Sequence, residues 1–214
     1  MSAESLRPAL LISSGAVIVL VLGWVILMIL TAPRGSVEEQ LERLRRSSAA
    51  YRWNFVNASL IAPPMVTMLV LIRDVPPRGP GILDGAGTAF LIAYLALITP
   101  TYASQYTVLP AVLRKGSAAA WHLYFGDPES LSYFLGLLAY GLFGVGASLL
   151  APPLVGAGGV WTWAGWTLLG SGVSSILGFA GYAAKSKALE FLNVVGGVLT
   201  IPFAALVFAG AFRL

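Results

Sequence analysis

The sequence contains no cysteine, a single histidine and few charged residues. The missing cysteines exclude disulfide scaffolds, thiol catalysis and thiolate metal sites, and one histidine excludes a multi-histidine metal cluster. Charged residues make up 10% of the 214 residues and hydrophobic residues 57%, whereas soluble domains carry about 25% charge. So few charged side chains cannot coat a soluble globule, and the sequence predicts an integral membrane protein.

Six apolar segments are long enough to cross a hydrocarbon layer about 30 Å thick at about 1.5 Å per residue. None of them alternates polar and apolar residues as the strands of a membrane barrel do. The predicted fold class is therefore all-α, with residues 1–214 forming a single integral membrane domain, a polytopic transmembrane bundle of about six helices. The predicted helices cover residues 9–31, 53–72, 85–113, 131–151, 160–184 and 191–212.

Lysine and arginine residues are distributed unevenly between the predicted loops. The loops 32–52, 114–130 and 185–190 carry nine of them, and the other loops and the termini carry four. Because cytoplasmic loops are enriched in Lys and Arg, we expect these three loops in the cytoplasm and both termini outside it. The basic charge then reflects topology and anionic headgroups, and no nucleic-acid partner is predicted. The expected location is the cell membrane, which the chain crosses several times.

A short amphipathic helix is predicted over residues 36–50, after the first membrane helix. Ser36 and Glu39 have the spacing of a capping box, and apolar residues recur on one face of the following turns. This pattern indicates a helix lying on the cytoplasmic membrane surface. An alternative is that its apolar face docks a partner protein. The residues of that docking face are Val37, Leu41 and Leu44.

Ionisable residues inside a membrane are unfavourable and therefore usually functional. The first five predicted helices contain none, and Glu190, near Asn193 at the margin of the sixth, is the one candidate. This scarcity argues against a proton pump, an ion-coupled transporter or an enzyme. It leaves Glu190 as either a functional group or an interface residue near Lys187.

Neutral polar residues cluster in the second and third predicted helices, near prolines that interrupt both. Proline removes a backbone donor and frees a carbonyl, which polar side chains can satisfy. The cluster is therefore either hydrogen-bonded glue between helices or the lining of a small ligand cavity. The predicted ligand-binding residues of this polar belt are Asn57, Tyr102, Gln105 and Tyr106.

His122 lies in an aromatic segment that suits the headgroup region. Its simplest interpretation is an interfacial residue in contact with water. The functional alternative is an axial ligand to a single pigment or haem, and no other cofactor is expected.

Rows of small residues mark the fourth and fifth predicted helices, with Gly136, Gly144 and Ser148 on one and Gly170 and Gly178 on the other. Such rows let helix backbones approach closely. They predict either packing within the subunit or a contact with a membrane-protein partner or a second copy.

Residues 100–184 resemble a group of small bacterial multi-helix membrane proteins of unknown function. The motifs that carry the resemblance are packing and turn residues, so it implies a bacterial inner-membrane helical protein and transfers no site. These motifs are Ser104-Gln105-Tyr106, Leu109-Pro110, the run LYFGDPESLSYFL at 123–135, Tyr140-Gly141-Leu142-Phe143-Gly144 and Ala151-Pro152-Pro153.

The sequence as a whole predicts a non-enzymatic membrane protein, an accessory, scaffolding or regulatory subunit of a membrane complex. One alternative is a small transporter or a binder of lipophilic ligands that uses the polar belt. Another is a pigment- or haem-binding subunit that uses His122. Both alternatives require a bound small molecule, whereas an accessory subunit does not.

Overall fold

The computed structural model describes residues 3–32, 34–75, 81–116 and 118–214. These residues form helices and turns without a strand, and 86% of them are helical. The predicted all-α class is therefore confirmed. The helices are α1 (Ala3–Leu30), α2 (Val37–Arg46), α3 (Ala49–Leu71), α4 (Ile82–Arg114), α5 (Ala119–Leu123), α6 (Leu131–Val155), α7 (Gly159–Ala183), α8 (Lys187–Glu190) and α9 (Leu192–Ala211).

The six long helices form a closed ring. Each one packs against two others, in the order α1, α3, α4, α6, α7, α9 and back to α1. Their inward faces form a single apolar core that includes Leu10, Met68, Ile98, Leu168 and Phe203. A ring of helices leaves an interior that side chains must fill, and here they do not fill it completely.

The short helices and basic loops lie together at one end of the ring, called here the α2 end. Arg45 Nε of α2 donates to the carbonyl oxygen of Leu113 at the end of α4, at 3.2 Å. Tyr133 at the start of α6 donates its hydroxyl to Glu190 of α8. At the opposite end, the Arg7 guanidinium lies 5.8 Å from the ring centroid of Phe212. The three predicted basic loops are therefore on one side of the bundle; Arg78, counted for the other side, lies outside the described residues.

Helix α2 begins and ends for identifiable reasons. Ser36 Oγ accepts from the Glu39 backbone N–H at 3.3 Å, and the Glu39 carboxylate accepts from the Ser36 N–H at 3.0 Å. The predicted capping box is thus confirmed. The helix ends at Arg46 rather than at residue 50, because Ser47 adopts an extended conformation (φ −151°, ψ 105°) and α3 begins immediately afterwards.

The apolar face of α2 is covered by the chain itself. Leu41 is buried against Leu109, Leu113 and Tyr124, and the other two residues of the predicted docking face, Val37 and Leu44, pack at the edge of the same cluster. Burial raises the pKa of Tyr124 to about 12, so its hydroxyl is protonated at neutral pH and donates to Gln40 Oε1 at 2.6 Å. Helix α2 is therefore fixed to the α4–α6 connection.

The α6–α7 contact depends on glycines that allow the two backbones to approach. A Cβ built on Gly144 would lie 2.5 Å from the carbonyl oxygen of Gly172, and one built on Gly172 would lie 2.8 Å from that of Gly144. Real Cβ atoms do not approach backbone atoms so closely, so no larger residue fits here without separating the helices. The small-residue row at Gly144 and Ser148 packs within the subunit.

Five helices are long and apolar enough to cross a membrane: α1, α3 with its following turn, α4, α6, and α8 with α9. Helix α7, which corresponds to the fifth of the six predicted spans, has the same length as α6, 25 residues. It is not among the five, because glycine, serine, threonine and tryptophan replace much of the Leu, Ile and Val that give the other helices their high hydropathy. It contains no charged residue.

Candidate functional site

A cavity of about 240 Å³ lies inside the ring, in the half nearer the α2 end. Four of the helices line it with side chains spaced three or four residues apart, which lie on one face of a helix. Along α6 the lining extends from Tyr133 to Phe143, ten residue steps or about 15 Å of helix. These rows are Val21, Trp24 and Met28 on α1; Ala58, Ile61 and Met65 on α3; Tyr133, Leu137 and Tyr140 on α6; and Asn193, Gly197 and Thr200 on α9.

Aromatic rings form much of the cavity wall. Phe125 connects the rings of Tyr133 and Tyr102, at centroid distances of 5.6 and 5.5 Å. The hydroxyls of Tyr102 and Tyr140 are hydrogen-bonded to each other, and the Tyr140 ring lies 6.2 Å from that of Tyr94. This places a continuous series of ring faces and edges around an otherwise apolar space.

Glu190 is the one residue with a formal charge among the described residues that line the cavity. Its side chain is 10% exposed. One carboxylate oxygen accepts from the Tyr133 hydroxyl, and the other lies 3.1 Å from Lys187 Nζ. The Lys187 side chain is 75% exposed, so Tyr133 holds the carboxylate on the cavity side and Lys187 on the outer side.

The turn between α7 and α9 fixes Glu190 in this position. Lys185 adopts a left-handed conformation (φ 54°), which ends α7 and reverses the chain, and the Ser186 N–H donates to the carbonyl oxygen of Gly181 at 2.8 Å. A Cβ at Gly181 would collide with the backbone nitrogen of Glu190. Helix α8 therefore lies directly on α7, where it directs the Glu190 carboxylate toward α6.

Asn193 lies one turn after Glu190, and its side-chain amide makes no hydrogen bond to the described residues. Its Nδ2 and Oδ1 atoms are buried, and neither has a hydrogen-bond partner in the part of the chain that the structure describes. The amide packs on Gly178, where an added Cβ would lie 2.5 Å from its Cγ. Buried amides are normally paired because leaving one unpaired costs about 1–3 kcal/mol. Both atoms have almost no exposed surface, so Asn193 lines the cavity through its other atoms, and its unpaired amide is a cost of the close packing of α9 on α7 at Gly178.

Gly197 helps to create the open volume. It lines the cavity, and a Cβ added to it would meet no atom within 4 Å. A side chain at this position would therefore extend into the cavity without first displacing a neighbour. Gly85, in the first turns of α4, has equally open surroundings but is exposed and lies outside the cavity.

The structure does not bring the four residues of the predicted polar belt into one site. Tyr102 lines the cavity. Asn57 instead donates from Nδ2 to the carbonyl oxygen of Leu20 at 2.8 Å, which joins α3 to α1. Tyr106 is half-buried and packs against the edge of the main core.

Gln105, the fourth member of the belt, is fully buried and its hydrogen-bonding groups are occupied by the chain. Its Oε1 accepts from the Tyr51 hydroxyl at 2.7 Å and from the Phe125 N–H at 3.1 Å. Its Nε2 donates to the carbonyl oxygen of Leu123 at 2.8 Å and to Ser132 Oγ at 3.2 Å. Gln105 thus holds the α5–α6 connection, including Phe125, against the end of the ring.

His122 is exposed on α5 and does not line the cavity. A pigment or haem bound through it would lie on the surface of the bundle. The described residues contain no group of three or more His, Asp or Glu side chains placed to hold a metal ion.

Several cavity residues were missed by sequence reasoning, among them Tyr133, Gly197 and Thr200. A usable signal was present, because the residues of each lining row recur at spacings of three and four. In an apolar helix, however, lipid-facing and core-facing rows have the same composition, so the spacing alone does not identify the row that faces a cavity.

Comparison with known protein families, with curated protein sequences and with solved structures finds no match to this chain. The fold and the site therefore define this chain by its architecture alone. The described chain is an all-helical bundle with five candidate membrane spans and an internal cavity that carries one carboxylate.

Proposed function

We propose that this chain is a multi-pass membrane protein that binds one small lipophilic molecule in the cavity and does not catalyse a reaction on it. The observation that carries the proposal is the unfilled, mostly apolar volume of about 240 Å³ inside the ring. An apolar cavity of about 150 Å³ accommodates benzene, so there is room here for a molecule larger than a single ring. This proposal is the lipophilic-ligand alternative that the sequence predicted, but of the four predicted residues only Tyr102 lines the cavity.

The packing of α2 supports the accessory-subunit interpretation less well than the cavity supports ligand binding. Its apolar side chains, Val37, Leu41 and Leu44, already contact α4 and α5 and would have to leave those contacts to bind a partner. The cavity, in contrast, accepts a ligand without unpacking a helix.

The proposed membrane arrangement has six spans, which are the five candidate spans and α7. Its length of 25 residues, its lack of charge and its place in the ring between α6 and α9 support this count. We infer that the α2 end faces the cytoplasm, because it carries the nine basic residues, and that the charged face of α2 lies at that membrane surface. The cavity then lies in the cytoplasmic half of the bundle.

Gly197→Leu tests the proposal by filling the cavity. We expect tert-butylbenzene to bind the unmodified protein in dodecyl maltoside micelles and to bind Gly197→Leu at least about tenfold more weakly, because an added side chain must be displaced to admit it. Binding is measured as the rise in Tm with probe concentration, since a ligand specific for the folded state stabilises it by mass action.

Gly85→Leu is the matched control, because it adds the same side chain to a helical glycine outside the cavity. It is expected to bind the probe like the unmodified protein at the same detergent concentration. Equal binding by all three proteins would place the probe in the micelle or on the outer surface and would refute the proposal.

A further inference from the structure

The charge inside the cavity restricts the ligands that it accepts. Among the described lining residues the single formal charge is the negative one of Glu190, and the nearest cation, Lys187, projects outward with a side chain that is 75% exposed. An anion in the cavity would be repelled by Glu190 at short range, where the low dielectric constant strengthens the repulsion. A cation would be attracted by the same group.

Glu190 has acceptor capacity beyond its two partners. A carboxylate can accept about four hydrogen bonds, and the described residues supply two, from Tyr133 and Lys187. The Glu190 carboxylate can therefore accept further contacts from a molecule in the cavity that it lines.

The aromatic wall provides a second attraction for positive charge. A cation within about 6 Å of a ring centroid is attracted by the electrons of the ring face, and more strongly where water is excluded. The rings of Tyr102, Phe125, Tyr133 and Tyr140 all line the cavity, and Tyr133 contacts both the space and the carboxylate. Aromatic faces and one carboxylate are the groups that recognise organic ammonium ions.

We propose that the cavity binds an organic ammonium ion with an apolar body, with its charge at Glu190 and its body against the aromatic wall. This inference rests on the proposed function, because it requires that the cavity hold a ligand. The ammonium group belongs either to a free lipophilic amine or to the headgroup of a lipid. In both cases Glu190 and the aromatic rings make the same contacts.

Three probes of ten non-hydrogen atoms each separate charge from shape. Phenyltrimethylammonium and tert-butylbenzene have the same shape and differ in the central atom, a charged nitrogen in one and a neutral carbon in the other; benzenesulfonate carries the opposite charge. In dodecyl maltoside, which contains no ammonium group, we expect the cation to bind at least about tenfold more tightly than its neutral isostere. We expect no measurable binding of the anion. Added phosphatidylcholine competes with the cation only if the site accepts a lipid headgroup.

Two substitutions are expected to shift the affinity for phenyltrimethylammonium in opposite directions. Glu190→Gln keeps an acceptor for Tyr133 but removes the charge, and should weaken cation binding at least about tenfold while leaving tert-butylbenzene binding unchanged. Lys187→Met removes the ammonium group of the chain that pairs with Glu190 and should strengthen cation binding several-fold. A purely structural role for Glu190 would not produce this pair of opposite changes. Glu129→Gln and Lys115→Met, which alter exposed charges outside the cavity, are the controls and should change neither affinity.

The outcomes distinguish this inference from the proposed function. If tert-butylbenzene binds in a way that Gly197→Leu abolishes, but the cation binds no better and is insensitive to Glu190→Gln, the ammonium inference is wrong and the cavity remains a site for neutral ligands. If no probe binds in a way that depends on Gly197, both proposals are wrong.

Discussion

Gly172→Ala is expected to destabilise the bundle by about 1–2 kcal/mol, although alanine is the best helix former and normally stabilises a helix relative to glycine by about 1 kcal/mol. The added Cβ would lie 2.5 Å from Ser148 Oγ, 2.8 Å from the carbonyl oxygen of Gly144 and 3.0 Å from the backbone nitrogen of Ser148. Two of these are backbone atoms of α6, so relief requires the helices to separate. Overpacking of this kind costs about 1–3 kcal/mol.

The control for this prediction is Gly170→Ala, two residues earlier in α7. A Cβ at Gly170 has as its nearest neighbour Leu199 Cδ1, at 3.4 Å, the end of a flexible side chain. We expect this variant to be as stable as the unmodified protein or more stable. For a chain of this size about 1 kcal/mol corresponds to roughly 2–4 °C in Tm, so the two variants should differ by several degrees in opposite directions. Equal Tm values would contradict the close α6–α7 contact.

Gln105→Leu is expected to destabilise the protein by about 3–5 kcal/mol. The substitution leaves the Phe125 N–H and the Tyr51 hydroxyl without their acceptor and the Leu123 carbonyl without its donor. Each buried group left unpaired costs about 1–3 kcal/mol, and local rearrangement recovers part of that. The measurement is the free energy of unfolding in mixed micelles as the fraction of denaturing detergent rises.

Gln40→Leu is the matched control, because Gln40 is half-buried at the α2 end, where water replaces lost partners. It accepts from the Tyr124 hydroxyl and donates to the Gly35 carbonyl, and its loss should cost less than about 1 kcal/mol. If Gln105→Leu instead retained full stability and lost only probe binding, Gln105 would be a ligand-binding residue, as the sequence predicted, and the structural role argued here would be wrong.

The six long helices and α2 were predictable from the sequence because each depends on local information, whereas the short helices α5 and α8 were not predicted. Long apolar segments without charge predict membrane-length helices, and the Ser36–Glu39 spacing alone predicts the start of α2. The end of α2 was placed four residues too late, because the apolar spacing continues past Arg46 while the backbone turns at Ser47. Helix α7 was predicted as a span from its length and lack of charge, whereas its glycines and tryptophans lower its hydropathy.

The candidate site was predictable only in part. Glu190 was identified because a carboxylate at the margin of a membrane-length apolar segment is rare, and this can be recognised without knowing how the helices pack. The cavity itself was not, since it arises where the rows of six helices fail to meet, and this depends on how the helices are rotated about their axes. Gln105 shows the same limit: its composition indicated either glue or a ligand site, and the difference depends on the contacts of Tyr51, Leu123 and Phe125 from three other segments.

Photolabelling with a small apolar carbene precursor tests the central claim, ligand binding inside the ring, most directly. Phenyldiazirine, activated in dodecyl maltoside, should insert into peptides that carry the cavity rows of α6 and α9, around Tyr140 and Thr200. Excess tert-butylbenzene should suppress this labelling, and Gly197→Leu should abolish it. Labelling confined to outward-facing side chains such as Ile12, Val19 and Trp163, and unaffected by the competitor, would contradict the account.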